Sequence, residues 1–253
     1  MIYKKTYNES IVTRKIGDRN IFFDEKKHEY KDEFGNLYKS GTNFISLFSE
    51  KFDAEKMSKI VAIKEGVDQK TILERWENKK NQACNYGTMI HSVMENFIKK
   101  NEKNEEYIGL YDSFERILKK DLDSAKSIFS EYMLCDTSSF LCGTADLIIN
   151  HNDYEFSIGD FKTNESIDFD NKYKKHLKFP IDHLSDCNYN KYSLQLSLYS
   201  YFYEKETGKK LRKVFILHKN GNEWKYIPCN FMYYEIKYMI KYYTNYTEIE
   251  KLQ

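Results

Sequence analysis

Two apolar runs, Gly143-Thr144-Ala145-Asp146-Leu147-Ile148-Ile149 and Ser157-Ile158-Gly159-Asp160-Phe161-Lys162-Thr163, flank a short polar turn, Asn150-His151-Asn152-Asp153. Alternation and β-branched content predict a β-hairpin. An acid interrupts each run, where a buried charge is costly without a partner. Residues i and i+2 of a strand share a face, so Asp160 and Lys162 project together. Asp146 lies at a similar distance from the turn on the partner strand. The hairpin thus gathers two carboxylates and one ammonium group into a small volume. Carboxylates so placed suit a hard divalent cation, and the lysine can hold or polarise a water beside it. An isolated D-x-K triplet is more often a solvated salt bridge, so the rest of the chain must decide between the two.

Upstream, residues 1–40 predict a short β-rich lead, with Ile21-Phe22-Phe23 and His28-Glu29-Tyr30 flanking Asp24-Glu25-Lys26-Lys27. Residues 42–82 predict helices with Ile45, Phe48 and Phe52, then Met57, Ile60 and Val61, then Ile72, Leu73 and Trp76 inward, broken at Gly66-Val67-Asp68. A third helix is expected over Tyr86 to Lys99, with His91 and Glu95 on one face, and another over 109–122. Ser127 to Leu134 should be the strand before the hairpin. Residues 166–190 read as a long loop, of the kind that is often functional. A helix from about Asn190 should stop at Gly208, which suits a C′ position. Asn220-Gly221 predicts a second hairpin, and 231–250 a Tyr-rich amphipathic helix whose aromatic side chains serve the core rather than base stacking.

Three further motifs accompany the hairpin: Gly87-Thr88-Met89-Ile90-His91 with Glu95 one turn later, Glu131 on the preceding strand, and Tyr192-Ser193-Leu194-Gln195-Leu196-Ser197-Leu198-Tyr199. Together with Asp146 and Asp160-Phe161-Lys162 this order resembles the PD-(D/E)XK nuclease superfamily, and within it the RecB-like and lambda-exonuclease-like branch. The resemblance runs from about Gly87 to Tyr203. It implies a restriction-endonuclease-like α/β fold, a mixed central sheet flanked by helices. It also implies Mg²⁺ or Mn²⁺ held by His91, Asp146, Asp160 and the carbonyl of Phe161, with Lys162 acting on the water. Glu95 and Glu131 are expected to support the site. Gln195 and Tyr199 are expected at the active site or the DNA backbone, with Tyr192 on the same helix face. Lys172, Lys174, Lys175 and Lys178, just after the catalytic strand, are candidates for phosphate tracking. Some relatives in the branch hold an iron–sulfur cluster through one early cysteine and three that follow the Q-x-x-x-Y helix. Only Cys229 follows Tyr199 here, so no cluster is expected.

With 253 residues, one domain over 1–253 is expected, with helical elaboration over about 1–85. Charged residues make up 31%, yet the net charge is only +1, so any nucleic-acid surface must come from local segregation of charge. The five cysteines are scattered and form no C-x-x-C pair, so neither zinc nor disulfides are expected. No apolar run approaches the roughly 20 residues that span a bilayer, and Met1 to Lys5 lack a secretory signal. A cytoplasmic protein is therefore expected (host cytoplasm if viral), with no membrane partner. The expected activity is metal-dependent hydrolysis of DNA, as an exonuclease in recombination, repair or replication. A structure- or end-directed endonuclease and a non-catalytic nucleic-acid-binding module remain the alternatives. No G-x-x-x-x-G-K-[ST] loop is present, so unwinding would fall to a helicase or recombination partner. Oligomeric state is left open.

Overall fold

The computed structural model describes Lys4–Lys5 and residues 11–251, with side chains from 11 to 246. The remaining residues of the expected β-rich lead, 1–3 and 6–10, lie outside the described residues.

An N-terminal meander opens the fold: β1 (Lys4–Lys5), β2 (Ile11–Ile16), β3 (Arg19–Asp24), β4 (Glu29–Asp32) and β5 (Leu37–Ser40). Ser40 caps the short α1 (Gly41–Ser46) by accepting from the Asn43 N–H. Asp53 and Asp68 do the same for α2 (Ala54–Glu65) and α3 (Gln69–Lys100). Such caps satisfy N–H groups that a helix start leaves open. Gly66 takes the left-handed conformation (φ 68°) that ends α2, which a side chain with a Cβ would resist.

α4 (Ile108–Asp123) leads into the long β6 (Ser127–Asp136) and the predicted hairpin, β7 (Leu141–Asn150) with β8 (Glu155–Lys162). After the loop come α5 (Asn188–Thr207), the hairpin β9 (Lys210–Asn220) and β10 (Glu223–Pro228), and α6 (Tyr233–Lys251). The described strands join in the order β1-β2-β3-β4-β5-β7-β8-β9-β10, with β6 on the other side of β7. β5 meets β7 and β8 meets β9 in parallel, while the other pairs are antiparallel. The sheet is therefore mixed, as expected of a nuclease-like α/β fold.

Helices cover both faces of its centre. Along β9, Val214 and Ile216 enter one cluster while Phe215 and Leu217 enter the opposite one. The first cluster is closed by α1, α5 and α6, through Phe44, Leu198 and Met239. The second is closed by α3 and α4, through Ile90, Met94, Phe114 and Leu118. Strands buried on both faces read as apolar runs, which is why the hairpin was legible. A third cluster seats the N-terminal sheet on Met133, Cys135 and Cys142. Buried Arg14 ties β2 to this seat through the Met133 carbonyl, the Tyr132 hydroxyl and the Glu206 carboxylate.

Four expectations need correction. The helix expected from Tyr86 is continuous with the one before it, because no proline or glycine intervenes between Trp76 and Tyr86; Gly87 sits inside it. On α2 the buried residues are Ser58 and Ala62, whereas Met57 and Ile60 are 36% and 50% exposed, and Phe52, expected inward, precedes the helix and is exposed. Disulfides were not expected, but Cys135 and Cys142 are bonded. These two cysteines face each other across β6 and β7, a register that cysteine spacing cannot show. On α6, Ile236 and Met239 enter the core, while Tyr234, Tyr238, Tyr242 and Tyr246 stand exposed at four-residue intervals.

Candidate metal centre

The site begins with a break in strand alternation. Phe129 and Tyr132 are three residues apart on β6, yet both pack on the same cluster, as do Ala145 and Ile148 on β7. Between them stand Glu131, with φ 50°, and Asp146. Left-handed backbone is costly for glutamate within a strand, and such strain concentrates at functional sites. Ser130 pairs with Leu147 and Tyr132 with Ala145, so Glu131 and Asp146 stand opposite each other. Both carboxylates reach His91 on α3: Nδ1 lies 3.4 Å from Asp146 Oδ2 and 3.7 Å from Glu131 Oε1. One donor atom from each of the three lies within 4.8 Å of the others.

His91 Nε2 is 2.9 Å from the Phe161 carbonyl oxygen. With Nε2–H donating there, Nδ1 is left to face the carboxylates. A metal-binding histidine is commonly oriented in this way, by a bond from its other nitrogen. Asp146 Oδ2 also accepts from the Phe161 N–H at 2.8 Å. One step past the Leu147–Gly159 pair, Asp160 stands across from Asp146. Its carboxylate forms an ion pair with Lys162, as their shared strand face requires. The Lys162 ammonium lies 4.6 Å from the centroid of the Tyr192 ring, a cation–π distance.

The electrostatics follow from crowded acids. The charge of Asp146 pushes His91 up to about 11 against burial, with help from Glu131 and Asp160. Burial and the neighbouring Asp146 raise Asp160 to about 6. Burial also raises Glu131, although His91 opposes it. Asp146 goes down despite its burial, because His91, Lys162 and the Phe161 N–H outweigh it. Burial would lower Lys162, but Asp160 and Asp146 outweigh it and its pKa rises. Carboxylates clustered in this way suit a hard divalent cation, which favours carboxylate oxygens and tolerates an imidazole.

The predicted residues are distributed as follows. His91, Glu131 and Asp146 converge as potential ligands. Asp160 is held beside them by Lys162, and the Phe161 carbonyl orients the imidazole. Glu95 lines the same cleft as His91, and its carboxylate pairs with Lys99 at 2.6 Å. Tyr199 is buried, with its ring against Gly41 and Gly143, and Gln195 hydrogen-bonds to it. Both line a cleft of about 830 Å³ together with His91, Glu131 and Asp146. Lys172, Lys174, Lys175 and Lys178 are absent from that lining. Lys174 pairs with Asp170 and Lys175 with Glu50, while Lys172 lies over the Tyr173 ring. Sequence reasoning missed the cleft's other wall, which the N-terminal meander supplies through Val12, Phe23, His28 and Tyr30. The apolar alternation of those strands was visible, but the face they cover was not.

No protein-family pattern and no curated protein matches the chain. Among solved structures, a protein of Eubacterium rectale that carries the provisional name exonuclease is similar at 11% identity. That match covers 81% of this chain and 77% of the other, with a TM-score of 0.35. The protein SSO0001 is similar at 16% identity over 53% of this chain, with a TM-score of 0.29. The chain spans about half the length of SSO0001, 55%. Neither likeness bears on the chemistry of the site. Among the described residues no helix is long and apolar enough to cross a membrane.

Proposed function

We propose that this protein is a Mg²⁺- or Mn²⁺-dependent deoxyribonuclease of the PD-(D/E)XK superfamily, in its RecB-like and lambda-exonuclease-like branch, acting as an exonuclease. One observation carries the reading: His91, Glu131 and Asp146 converge at a strained point of the sheet, with the Asp160–Lys162 pair alongside. An ion held by these carboxylates and the imidazole would supply charge neutralisation at the phosphate and a more acidic water. The chain's own residues do the rest. The Phe161 carbonyl fixes the imidazole so that Nδ1 faces the carboxylates. Asp160 and the Tyr192 ring hold the Lys162 ammonium near the same carboxylates, where it orients the attacking water. Gln195, bonded to Tyr199, offers a polar contact from the cleft wall to the strand.

Recombination, repair or replication is the proposed setting, with a separate partner for unwinding. The test uses linear DNA labelled at the 5′ or the 3′ end, alongside a closed circle, with Mg²⁺ and with EDTA. Loss of label from linear DNA, an intact circle and silence in EDTA are expected. A nicked or linearised circle means an endonuclease. Full activity after exhaustive chelation removes the metal-dependent reading.

A further inference from the structure

The cleft has two chemically different walls. One carries the ionisable groups His91, Glu131 and Asp146. The other comes from β3 and β4, where Phe23 and Tyr30 are cross-strand partners with rings stacked 4.2 Å apart at 16°. Tyr30 is buried, and its hydroxyl lies 3.0 Å from the Thr144 hydroxyl on β7. Phe23 is half-buried and lies at the cleft, with the His28 ring roughly perpendicular to it at a centroid distance of 5.3 Å. The intervening turn is pre-set. Asp24 accepts from the N–H groups of Lys26 and Lys27, and His28 closes the turn at φ 52°. An aromatic shelf therefore lines the same cleft as the acidic centre.

We propose that this β3–β4 hairpin is a nucleobase-stacking subsite, with Phe23 as its platform, that selects a single-stranded or unpaired strand end. The inference rests on the nuclease reading for the neighbouring phosphate. A nucleotide strand alternates phosphate with base, so a phosphate at the carboxylate wall leaves a base to be placed nearby. Aromatic rings bind bases with little regard to sequence. Inside a duplex both faces of a base are covered, and at a blunt end only the outer face of the terminal pair is free, so a ring gains full access to a base only when that base is unpaired or splayed. Charge is not the attraction at this hairpin tip. Asp24, Glu25 and Glu29 outnumber Lys26 and Lys27 there.

The test is fluorescence quenching of a single-stranded oligonucleotide carrying 2-aminopurine, titrated with the full chain in Ca²⁺ to limit turnover. Phe23→Leu keeps an apolar side chain against Tyr30 but loses the ring, and Phe23→Trp restores one. Stacking on one ring predicts binding weaker by about 5- to 150-fold in Phe23→Leu, with rescue in Phe23→Trp. The salt dependence of binding should stay the same in both, because no phosphate contact is removed. Thermal melts of both variants guard against misfolding. If Phe23→Leu quenches and binds as wild type does, or wild type quenches no labelled position, the subsite is overturned. Chelation-sensitive cleavage in that case leaves the nuclease reading standing. Conversely, ring-dependent quenching by a protein that never cleaves keeps the subsite and overturns the nuclease reading.

Discussion

Gly143→Ala is the most informative packing test, because it perturbs the joint between the β7–β8 hairpin and α5. A Cβ at Gly143 would lie 2.5 Å from Tyr199 Cζ, with Cε1 and the hydroxyl oxygen closer still. Comfortable carbon contacts begin at about 3.5 Å, so the overlap is about 1 Å. The ring has little room to retreat, because it is seated against the Gly41 backbone, so closely that even an ideal Cβ position there lies 2.7 Å from Tyr199 Cε1. The strand is also restrained, since β6 pairs with β7 on one side and β5 with β8 on the other. Overpacking typically costs about 1–3 kcal/mol, and a site with neither exit should fall near 3. For a chain of this size that predicts a Tm lower by about 6–12 °C. Tyr199→Leu opens the space, so in its background the cost of Gly143→Ala should drop below about 1 kcal/mol. A double-mutant cycle by urea denaturation reads this coupling directly. If Gly143→Ala stays within about 0.5 kcal/mol of the parent, or the two costs simply add, the clamp described for Tyr199 is wrong.

Asp146→Ala and Asp160→Ala should abolish cleavage and weaken Mn²⁺ binding by calorimetry. Lys162→Ala should lose cleavage with metal and DNA binding largely retained, and a near wild-type rate would remove its role on the water. Asp32 is held at about 2, below the ordinary 3.8; burial opposes this, but Asn36, Arg19 and the Phe34 N–H outweigh it. A depressed carboxylate contributes stability above its unfolded value that is lost as pH falls through its folded value. The β2–β4 sheet should therefore loosen between about pH 4 and 2, read by hydrogen exchange, and Asp32→Asn should bring that loosening to neutral pH. Finally, Lys174→Ala with Lys175→Ala should leave the salt slope of DNA binding unchanged, since Asp170 and Glu50 already hold both ammoniums. A slope reduced by about two would return this loop to the DNA path.

Local patterns in the sequence determined the central architecture. The hairpin at Asp146 and Asp160 was legible because strands covered on both faces must be apolar, so each interrupting acid stood out. That Asp160 and Lys162 share a strand face followed from the two-residue strand period alone. The ends at Gly66 and Gly208 followed from left-handed backbone that favours glycine. Only the tertiary structure decided which groups converge. The resemblance singled out Glu131 as a supporting acid, but nothing local announced the φ of 50° at which its backbone breaks the strand beside His91. His91 lies 70 residues from the carbonyl that orients it, and Arg14 lies 119 from the carbonyl that receives it. Cys135 and Cys142 became partners through strand register, and Phe23 became a cleft wall through the docking of one sheet edge on another. Short-range sterics and periodicity write themselves into neighbouring residues, whereas long-range docking depends on complementary surfaces that no single segment contains.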